Sequence, residues 1–184
     1  MVRYSPQHKE VTRARIVETA REQFREHGFD QVSIDALMGA AGLTRGGFYA
    51  HFESKEALIS EVLRIEPGLL VSLRAAASAG DRDEALAAVE RYLQPPEIDE
   101  LHQCPLVAHP ADVWRGAQER RPPFAAHVAG LVTALDRLLG DRNEALRMTA
   151  TIVGAAVLAA SLGEDELGSE VLAASTTAAA DALS

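Results

Sequence analysis

The stretch SIDALMGAAGLTRGGFYAHF, Ser33 to Phe52, has the pattern of two short helices separated by a tight turn. Ser33 is placed to cap the first helix, and Gly42 to end it, because glycine readily takes the left-handed conformation that follows helix ends. Thr44 is placed to cap the second helix, and each of the two helices is predicted to have about seven or eight residues. The stretch therefore predicts a helix-turn-helix.

The segments on either side extend this pattern to four helices. Apolar residues recur every four positions over residues 12–27, and Gly28 predicts the end of that helix. Ser54 is placed to cap a further helix over residues 55–65. Two apolar pairs have the spacing of hydrophobic staples, which fix how the chain enters a helix: Val32 with Leu37, and Leu43 with Phe48.

Two adjacent glycines, Gly46 and Gly47, lie at the start of the second short helix, where each costs roughly 1 kcal/mol relative to alanine. In a helix-turn-helix this end of the second helix faces the DNA bases, so a missing side chain lets the backbone approach the duplex. Arg45 lies at the same end, and arginine is the commonest specific reader of guanine. The spacing alone leaves a second interpretation open, in which three short helices merely build an all-α core.

The side chains that follow the glycines divide into an outer and an inner set. Tyr49 and His51 are predicted to face outward, where they can donate hydrogen bonds to phosphate oxygens. Phe48 and Phe52, four residues apart, are predicted to face inward. Lys55 lies in the first turn of the next helix, where free backbone amides also favour phosphate. The outer set is therefore a candidate DNA-contacting surface.

Charge is distributed unevenly along the chain. The formal net charge is −9, yet residues 1–64 hold nine Lys and Arg and nine Asp and Glu, so the remainder carries the whole negative excess. The basic residues of the N-terminal arm are Arg3, Lys9, Arg13, Arg15, Arg21 and Arg25. This asymmetry indicates a small unit that tolerates a polyanion, attached to an acidic body.

Composition indicates a globular, soluble chain. The hydrophobic fraction is 47% and the mean hydropathy is −0.04. The N-terminus lacks the apolar core of a signal peptide, and the longest apolar run, residues 151–163, is shorter than the roughly 20 residues of a spanning helix. A single cysteine, Cys104, fits a reducing compartment. We therefore expect a cytoplasmic protein with no membrane partner.

The rest of the chain is also predicted to be helical. Asp81 is placed to open a helix that Pro95 and Pro96 close, and the proline-rich segment up to residue 124 predicts short, broken helices. Three longer helices are predicted over residues 124–139, 142–162 and 164–183. The second of these is apolar on nearly all sides, so it needs partners on more than one face. It is either paired with a second copy of the chain or central to a monomer core.

The middle of the chain holds candidate ligand residues. The metal-ligand types there are His102, Cys104, His109 and Asp112, but their spacing does not match a zinc finger, and no metal or other cofactor is predicted. Cys104 is interpreted either as a redox or electrophile sensor or as a small buried apolar residue. The residues predicted to line a pocket for a small molecule are Cys104, Trp114, Phe124, His127 and Met148.

Residues 12–63, TRARIVETAREQFREHGFDQVSIDALMGAAGLTRGGFYAHFESKEALISEVL, resemble the DNA-binding domain of the tetracycline-repressor (TetR/AcrR) family without a gap. The resemblance rests on motifs that keep their mutual spacing. These are the HGF that ends the first helix, S-I-x-x-L-x-x-x-A-G-L-T, G-x-F-Y-x-H-F and S-K-E-x-L.

The resemblance implies an all-α protein with an N-terminal three-helix helix-turn-helix domain over residues 1–66. A helical regulatory, ligand-binding and dimerisation domain would follow over residues 67–184. It also implies a homodimer that binds a palindromic DNA operator as a transcriptional repressor and is released by a small-molecule effector. The DNA contacts carried over from the motifs are Thr12, Arg13, Thr44, Arg45, Gly46, Gly47, Tyr49, His51 and Lys55.

Three other functions stay open at this point. An enzyme is disfavoured because the sequence has no nucleophile elbow, phosphate-binding loop or spaced acid–base pair. An architectural DNA binder without a ligand is disfavoured by the acidic body. A redox or electrophile sensor acting through Cys104 would leave DNA on oxidation instead of on ligand binding.

Overall fold

The structure is a computed structural model that describes residues 6–94 and 98–184. These residues are helical with no strand among them, which confirms the predicted all-α class. The α-helices are α1 Pro6–His27, α2 Ile34–Ala40, α3 Arg45–Phe48, α4 Lys55–Leu63, α5 Gly68–Ala79, α6 Arg82–Leu93, α7 Pro105–Ala108, α8 Pro110–Arg115, α9 Arg121–Leu139, α10 Arg142–Leu162 and α11 Glu166–Leu183. Two 3₁₀ helices lie at Ile98–Gln103 and Gln118–Arg120.

The chain divides into two compact units. The first comprises Met1–Ile65 and Ala111–Pro123, and the second comprises Glu66–Pro110 and Phe124–Ser184. The first division lies one residue from the predicted domain boundary. The prediction differs for residues 111–123, which it assigned to the second domain. The physical reason is that Arg120, in this segment, is buried against residues of the helix-turn-helix region.

The core of the first unit is built around aromatic side chains. Phe24, Phe29 and Phe48 are fully buried, and the rings of Phe24 and Phe29 meet edge to face at 5.2 Å. Phe52 is buried beside Phe48, with the ring centres 5.6 Å apart. The apolar residues of α1 are buried at the predicted spacing of four: Ile16, Ala20 and Phe24. The predicted inward orientation of Phe48 and Phe52 is confirmed.

The predicted helix boundaries in this unit rest on local hydrogen bonds and turns. The Ser33 Oγ accepts from the Ala36 amide at 3.1 Å, and the Ser54 Oγ accepts from the Ala57 amide at 3.1 Å, so both are side-chain caps. Gly28 and Gly42 have positive φ angles of 77° and 66°, as the ends of α1 and α2 require.

Three boundaries differ from the prediction. α4 ends at Leu63, two residues before the predicted end at residue 65. α1 begins at Pro6, six residues before the predicted start at Thr12. α3 has only four residues instead of the predicted seven or eight, because the chain continues after Phe48 in turns. The amides of His51 and Phe52 both donate to the Phe48 carbonyl, at 2.9 and 3.0 Å. The side chains after α3 are therefore held by turns instead of by a regular helix.

In the second unit, α10 is a core helix, with Ala145, Met148 and Ile152 buried among α6, α7 and α11. Among the described helices, α10 alone is long and apolar enough to cross a membrane, by length and composition only. The shorter apolar run over residues 151–163, taken by itself, did not predict this. α10 begins and ends where predicted, whereas α11 begins two residues later. The predicted short, broken helices of the proline-rich segment are confirmed by α7 and α8.

Asp81 caps α6 as predicted, since its Oδ1 accepts from the Glu84 amide at 2.9 Å. α6 ends at Leu93. The prolines predicted to close it, Pro95 and Pro96, lie outside the described residues, as does Arg3 of the basic arm.

Candidate nucleic-acid interface

The two glycines at the start of α3 face different surroundings. A Cβ added to Gly46 would have no atom within 4 Å, and this residue is exposed. A Cβ added to Gly47 would lie 3.6 Å from the Cε of Met38 on α2, at ordinary contact distance. Neither glycine has a positive φ, so the backbone conformation does not require glycine at either position. Gly46 thus keeps an outward-facing surface of α3 free of any side chain.

Arg45 lies beside that surface. Its Nη1 is 2.5 Å from the Oδ2 of Asp35 on α2, and the two side chains are 60% and 59% exposed. An ion pair this exposed contributes little to stability, because water and salt screen it. The guanidinium can therefore exchange Asp35 for a base edge or a phosphate at small cost.

Thr44 and Tyr49 lie on either side of α3, and both are exposed. Thr44 has the extended backbone of an N-cap, but its side chain makes no capping hydrogen bond. Tyr49 is 55% exposed and meets the buried Phe48 ring edge to face at 5.3 Å. Packing on Phe48 therefore orients the Tyr49 ring. The structure agrees with the predicted outward orientation of Tyr49.

His51 is half-buried at the end of the turns that follow α3. Its Nδ1 is buried without a hydrogen-bond partner among the described residues. Burial lowers the pKa of His51, and the nearby positive charges of Lys9 and Arg13 lower it further. In the free protein the imidazole is therefore neutral near pH 7, and it lies close to two cationic side chains.

Arg13 and Thr12 are engaged inside the first unit. The Arg13 guanidinium forms an ion pair with Glu61 of α4 and lies 4.6 Å from the centre of the Phe52 ring. The Thr12 hydroxyl donates to the His8 carbonyl at 2.9 Å. Arg13 thus links α1 to α4, a structural role that the sequence did not indicate.

Lys55, the first residue of α4, is half-buried. Its Nζ donates to the backbone carbonyl of Asp30 at 3.4 Å. Burial lowers the pKa of Lys55, although Asp30 and Glu56 oppose this effect. The ammonium group is thus held on the loop that follows α1, at the N-terminal end of α4.

The residues predicted to line a ligand pocket are divided between the two units. Trp114 is 74% exposed and belongs to the first unit, and its place in a ligand pocket stays a prediction. Cys104, His127 and Met148 are buried in the second unit, and Phe124 is half-buried there. Burial raises the pKa of the Cys104 thiol, which disfavours the reactive thiolate that a redox sensor needs.

A cavity of about 370 Å³ lies between α5 and α9 of the second unit. It is lined by Arg74, Ala77, Ala129, Gly130, Thr133, Ala134 and Arg137, and by none of the five predicted residues. The metal-ligand types noted in the sequence do not form a candidate metal site, since no group of three or more His, Cys, Asp or Glu within the described residues could hold an ion.

Sequence reasoning missed Arg120, whose side chain is only 4% exposed and pairs with Asp30 and Glu56. Its partners lie 90 and 64 positions away in the chain. The segment around it, ERRPPF, places two arginines side by side and gives no periodic signal that selects one of them for burial.

Comparison with known proteins supports the interpretation of the first unit. Residues 16–62 match the family model described as bacterial regulatory proteins, tetR family. The chain is 36% identical over 69 residues to the probable acrEF/envCD operon repressor of Escherichia coli (strain K12). This match covers 38% of the chain and 31% of the repressor, so the chain spans about a third of that relative's length.

Solved structures match over nearly the whole chain. A TetR-family transcriptional regulator from Pectobacterium atrosepticum is 26% identical, with a TM-score of 0.61 over 95% of this chain and 93% of that one. The reduced form of E. coli NemR (20% identical, TM-score 0.78, 94% and 97% covered) shares the fold. So does SmeT in complex with triclosan (20% identical, TM-score 0.70, 91% of each chain covered).

The match to the family model and the likeness to solved regulators agree with the exposed, glycine-containing α3 and the aromatic core beneath it. Residues 16–62 thus match the tetR family of bacterial regulatory proteins, and the chain shares the fold of a solved TetR-family regulator.

Proposed function

We propose that the protein is a DNA-binding transcriptional repressor that inserts α3 into the major groove. The observation that carries this proposal is the exposed start of α3, where Gly46 leaves the backbone uncovered beside the weakly held Arg45. In this arrangement Arg45 contacts a base edge, and Thr44, Tyr49, His51 and Lys55 contact phosphates around it. Gly47, beside it, also keeps the start of α3 free of a side chain, so the backbone can approach the duplex there.

The charge distribution suits a local contact with DNA. Residues 1–64 are neutral overall while the rest of the chain carries the net charge of −9, so non-specific attraction along the whole surface is weak. Specific binding then depends on the few cations near α3. Arg13 of α1 adds to these cations by exchanging part of its ion pair with Glu61 for a phosphate, and the neutral Thr12 hydroxyl is a further phosphate contact.

The repressor acts as a homodimer. α10 and α11 expose four large apolar side chains that a second copy of the chain would cover: Leu146, Leu158, Leu162 and Leu167. Pairing of these helices with those of a second copy presents two α3 helices related by a two-fold axis. Such a dimer binds an inverted repeat whose half-site centres lie about one helical turn, roughly 34 to 36 Å, or a small multiple apart.

The second unit receives a small-molecule effector in the cytoplasm, with no cofactor. The structure of SmeT, which shares this fold, is of a complex with triclosan. Four buried or half-buried side chains of the second unit are the candidate ligand contacts: Cys104, Phe124, His127 and Met148. An effector that binds better to the state unable to bind DNA lowers operator affinity by its coupling free energy, typically about 1 to 3 kcal/mol.

Selection of bound duplexes from a random DNA pool with the full-length protein tests the proposal. We expect an inverted repeat, because a symmetric dimer enriches symmetric sites. Enrichment of asymmetric or unrelated sequences would contradict the dimeric repressor. Absence of any enriched sequence, with measurable binding to all duplexes, would point to an architectural protein instead.

Arg45→Ala and Lys55→Ala should weaken binding in different ways. Removing the Arg45 side chain should relax the preference at one position of each half-site by about 1 to 3 kcal/mol, because a base edge is no longer read. Removing the Lys55 ammonium should weaken all sequences alike and reduce the slope of log affinity against log salt by about 0.9 for each phosphate that it neutralises. Titration of both variants against a set of operator mutants checks this. Equal effects on every duplex for both variants would reject the assignment.

Operator affinity should rise as the pH falls from neutral toward pH 6. The pKa of His51 lies below its usual 6.5 in the free protein, and a phosphate beside it raises the pKa in the complex. Binding then takes up a proton, so affinity increases as the pH falls through the pKa of the complex, by about tenfold per unit of pKa difference. His51→Gln should remove this increase, and retention of the full pH dependence would contradict the contact.

A further inference from the structure

Arg120 occupies an unusual position for an arginine. It is 3% exposed, and it lies in the segment Ala111–Pro123, which belongs to the first unit. The chain before this segment, Glu66–Pro110, and the chain after it, Phe124–Ser184, belong to the second unit. A charged side chain is buried only when enough partners compensate for its lost hydration. The partners of Arg120 therefore indicate what this arginine does.

The guanidinium of Arg120 is fully engaged by the first unit. Its Nε and Nη2 donate to the two carboxylate oxygens of Glu56, at 3.0 and 2.7 Å, in the bidentate geometry that suits a guanidinium best. Nη2 also donates to the Oδ1 of Asp30 at 2.7 Å, and Nη1 to the Asp112 carbonyl at 3.3 Å. The group lies 5.2 Å from the centre of the Phe29 ring.

These interactions converge on the end of α4 that holds the proposed phosphate contact. Glu56 is the second residue of α4, and Lys55 is the first. The Lys55 Nζ donates to the Asp30 carbonyl, while Arg120 binds the Asp30 carboxylate. The two cations thus fix the loop after α1 and the start of α4 against each other. The Arg120 hydrogen bond lowers the pKa of Asp30, so the carboxylate stays ionised.

Gly116 gives a second, independent indication that the position of the guanidinium matters. A Cβ at this residue would lie 2.2 Å from the Arg120 Nη1 and 2.5 Å from the Asp112 carbonyl oxygen. Real Cβ atoms do not approach this closely, so only glycine leaves room for the guanidinium in its present place. Its φ is not positive, and the backbone itself does not require glycine here.

We propose that Arg120 is a positioning residue for DNA binding, which completes the DNA-binding unit from outside the helix-turn-helix sequence by fixing the start of α4 and Lys55. The proposal rests on the function proposed above. Arg120 does not touch DNA, and it acts through Glu56 and Asp30. The DNA-binding unit therefore consists of residues 1–65 together with residues 111–123.

Three full-length variants test the proposal, with Arg121→Met as the matched control because Arg121 is the exposed neighbour. Arg120→Met removes the charge and keeps much of the side-chain length. Gly116→Ala keeps the charge and displaces the guanidinium. Arg120→Lys keeps a cation but removes the bidentate geometry. Each is titrated with the duplex selected by the wild-type protein, at a temperature well below the midpoint of its thermal unfolding.

We expect Arg120→Met and Gly116→Ala to weaken operator binding by about tenfold or more, with a reduced salt slope, and Arg120→Lys to lie between them and the wild type. The control should bind as the wild type does. Without DNA, backbone amide hydrogen exchange at the start of α4 and in residues 28–33 should be faster in Arg120→Met and Gly116→Ala than in the wild type. It should be unchanged in the Arg121→Met control.

Two results would overturn the proposal. The first is unchanged operator affinity in the folded Arg120→Met and Gly116→Ala proteins. If these proteins only unfold at a lower temperature, Arg120 stabilises the fold and does not position the DNA contact. The second is unchanged hydrogen exchange at the start of α4. Failure of the wild-type protein to select any duplex would instead overturn the proposed function, while the exchange measurement would still report on the position of α4.

Discussion

Gly46→Leu should abolish operator binding, with affinity reduced by at least about a hundredfold, or about 2.8 kcal/mol. The free protein accommodates the new side chain, because no atom lies within 4 Å of its Cβ. In the proposed complex the same space is occupied by DNA. The free energy of unfolding should stay the same or rise by less than about 1 kcal/mol, since leucine is the better helix former. Titration with the selected duplex and urea unfolding measure the two effects.

The substitution series Gly46→Ala and Gly46→Leu grades the size of the side chain. The alanine variant should bind more tightly than the leucine variant, because a single methyl group displaces less of the interface. Gly39→Leu is the matched control, since Gly39 on α2 is also exposed with no atom within 4 Å of its Cβ. Equal effects of leucine at both positions would show that α3 is not the element that enters the groove.

Phe48→Ala and Tyr49→Phe should separate packing from DNA contact at two adjacent aromatic residues. Phe48 is fully buried, so its truncation should lower the free energy of unfolding of the first unit by about 3 to 5 kcal/mol. Tyr49 is 55% exposed and keeps its ring in the phenylalanine variant. That variant should unfold as the wild type does but bind the operator about two- to tenfold more weakly, because one hydrogen bond to phosphate is removed.

The single tryptophan makes this measurement possible. Trp114 belongs to the first unit, so its fluorescence reports the unfolding of that unit separately from the second. Circular dichroism reports both units together. A Phe48→Ala protein whose tryptophan transition coincides with that of the wild type would contradict the assigned core.

The helix-turn-helix was predictable because its determinants are local. Ser33 and Ser54 cap helices through amides three residues away, and Gly28 and Gly42 end helices through their own backbone angles. The inward Phe48 follows from its place in the repeating pattern of apolar residues. Such features depend on neighbours within one or two turns, and a single sequence contains all of these neighbours.

The features that escaped prediction depend on distant partners or on the absence of regular structure. Arg120 meets Asp30 and Glu56 only after the chain has folded, and nothing in its sequence neighbourhood distinguishes it from Arg121. The exposure of Trp114 on α8 was not predictable either, because its residue type alone does not say which of its neighbours cover it. α3 is shorter than predicted because turns satisfy the backbone after Phe48 as well as a helix would.

The division of the first unit between two segments of the chain has a consequence for protein engineering. Regulators that respond to ligands are attractive parts for chimeras, in which the DNA specificity of one protein is joined to the ligand response of another. A junction at residue 65 would transplant Glu56 and Asp30 without the arginine that neutralises them. A chimera that also carries residues 111–123 keeps the buried ion cluster intact, although it needs two further junctions, after Pro110 and after Pro123. The exchangeable part of this protein is thus a discontinuous piece of sequence.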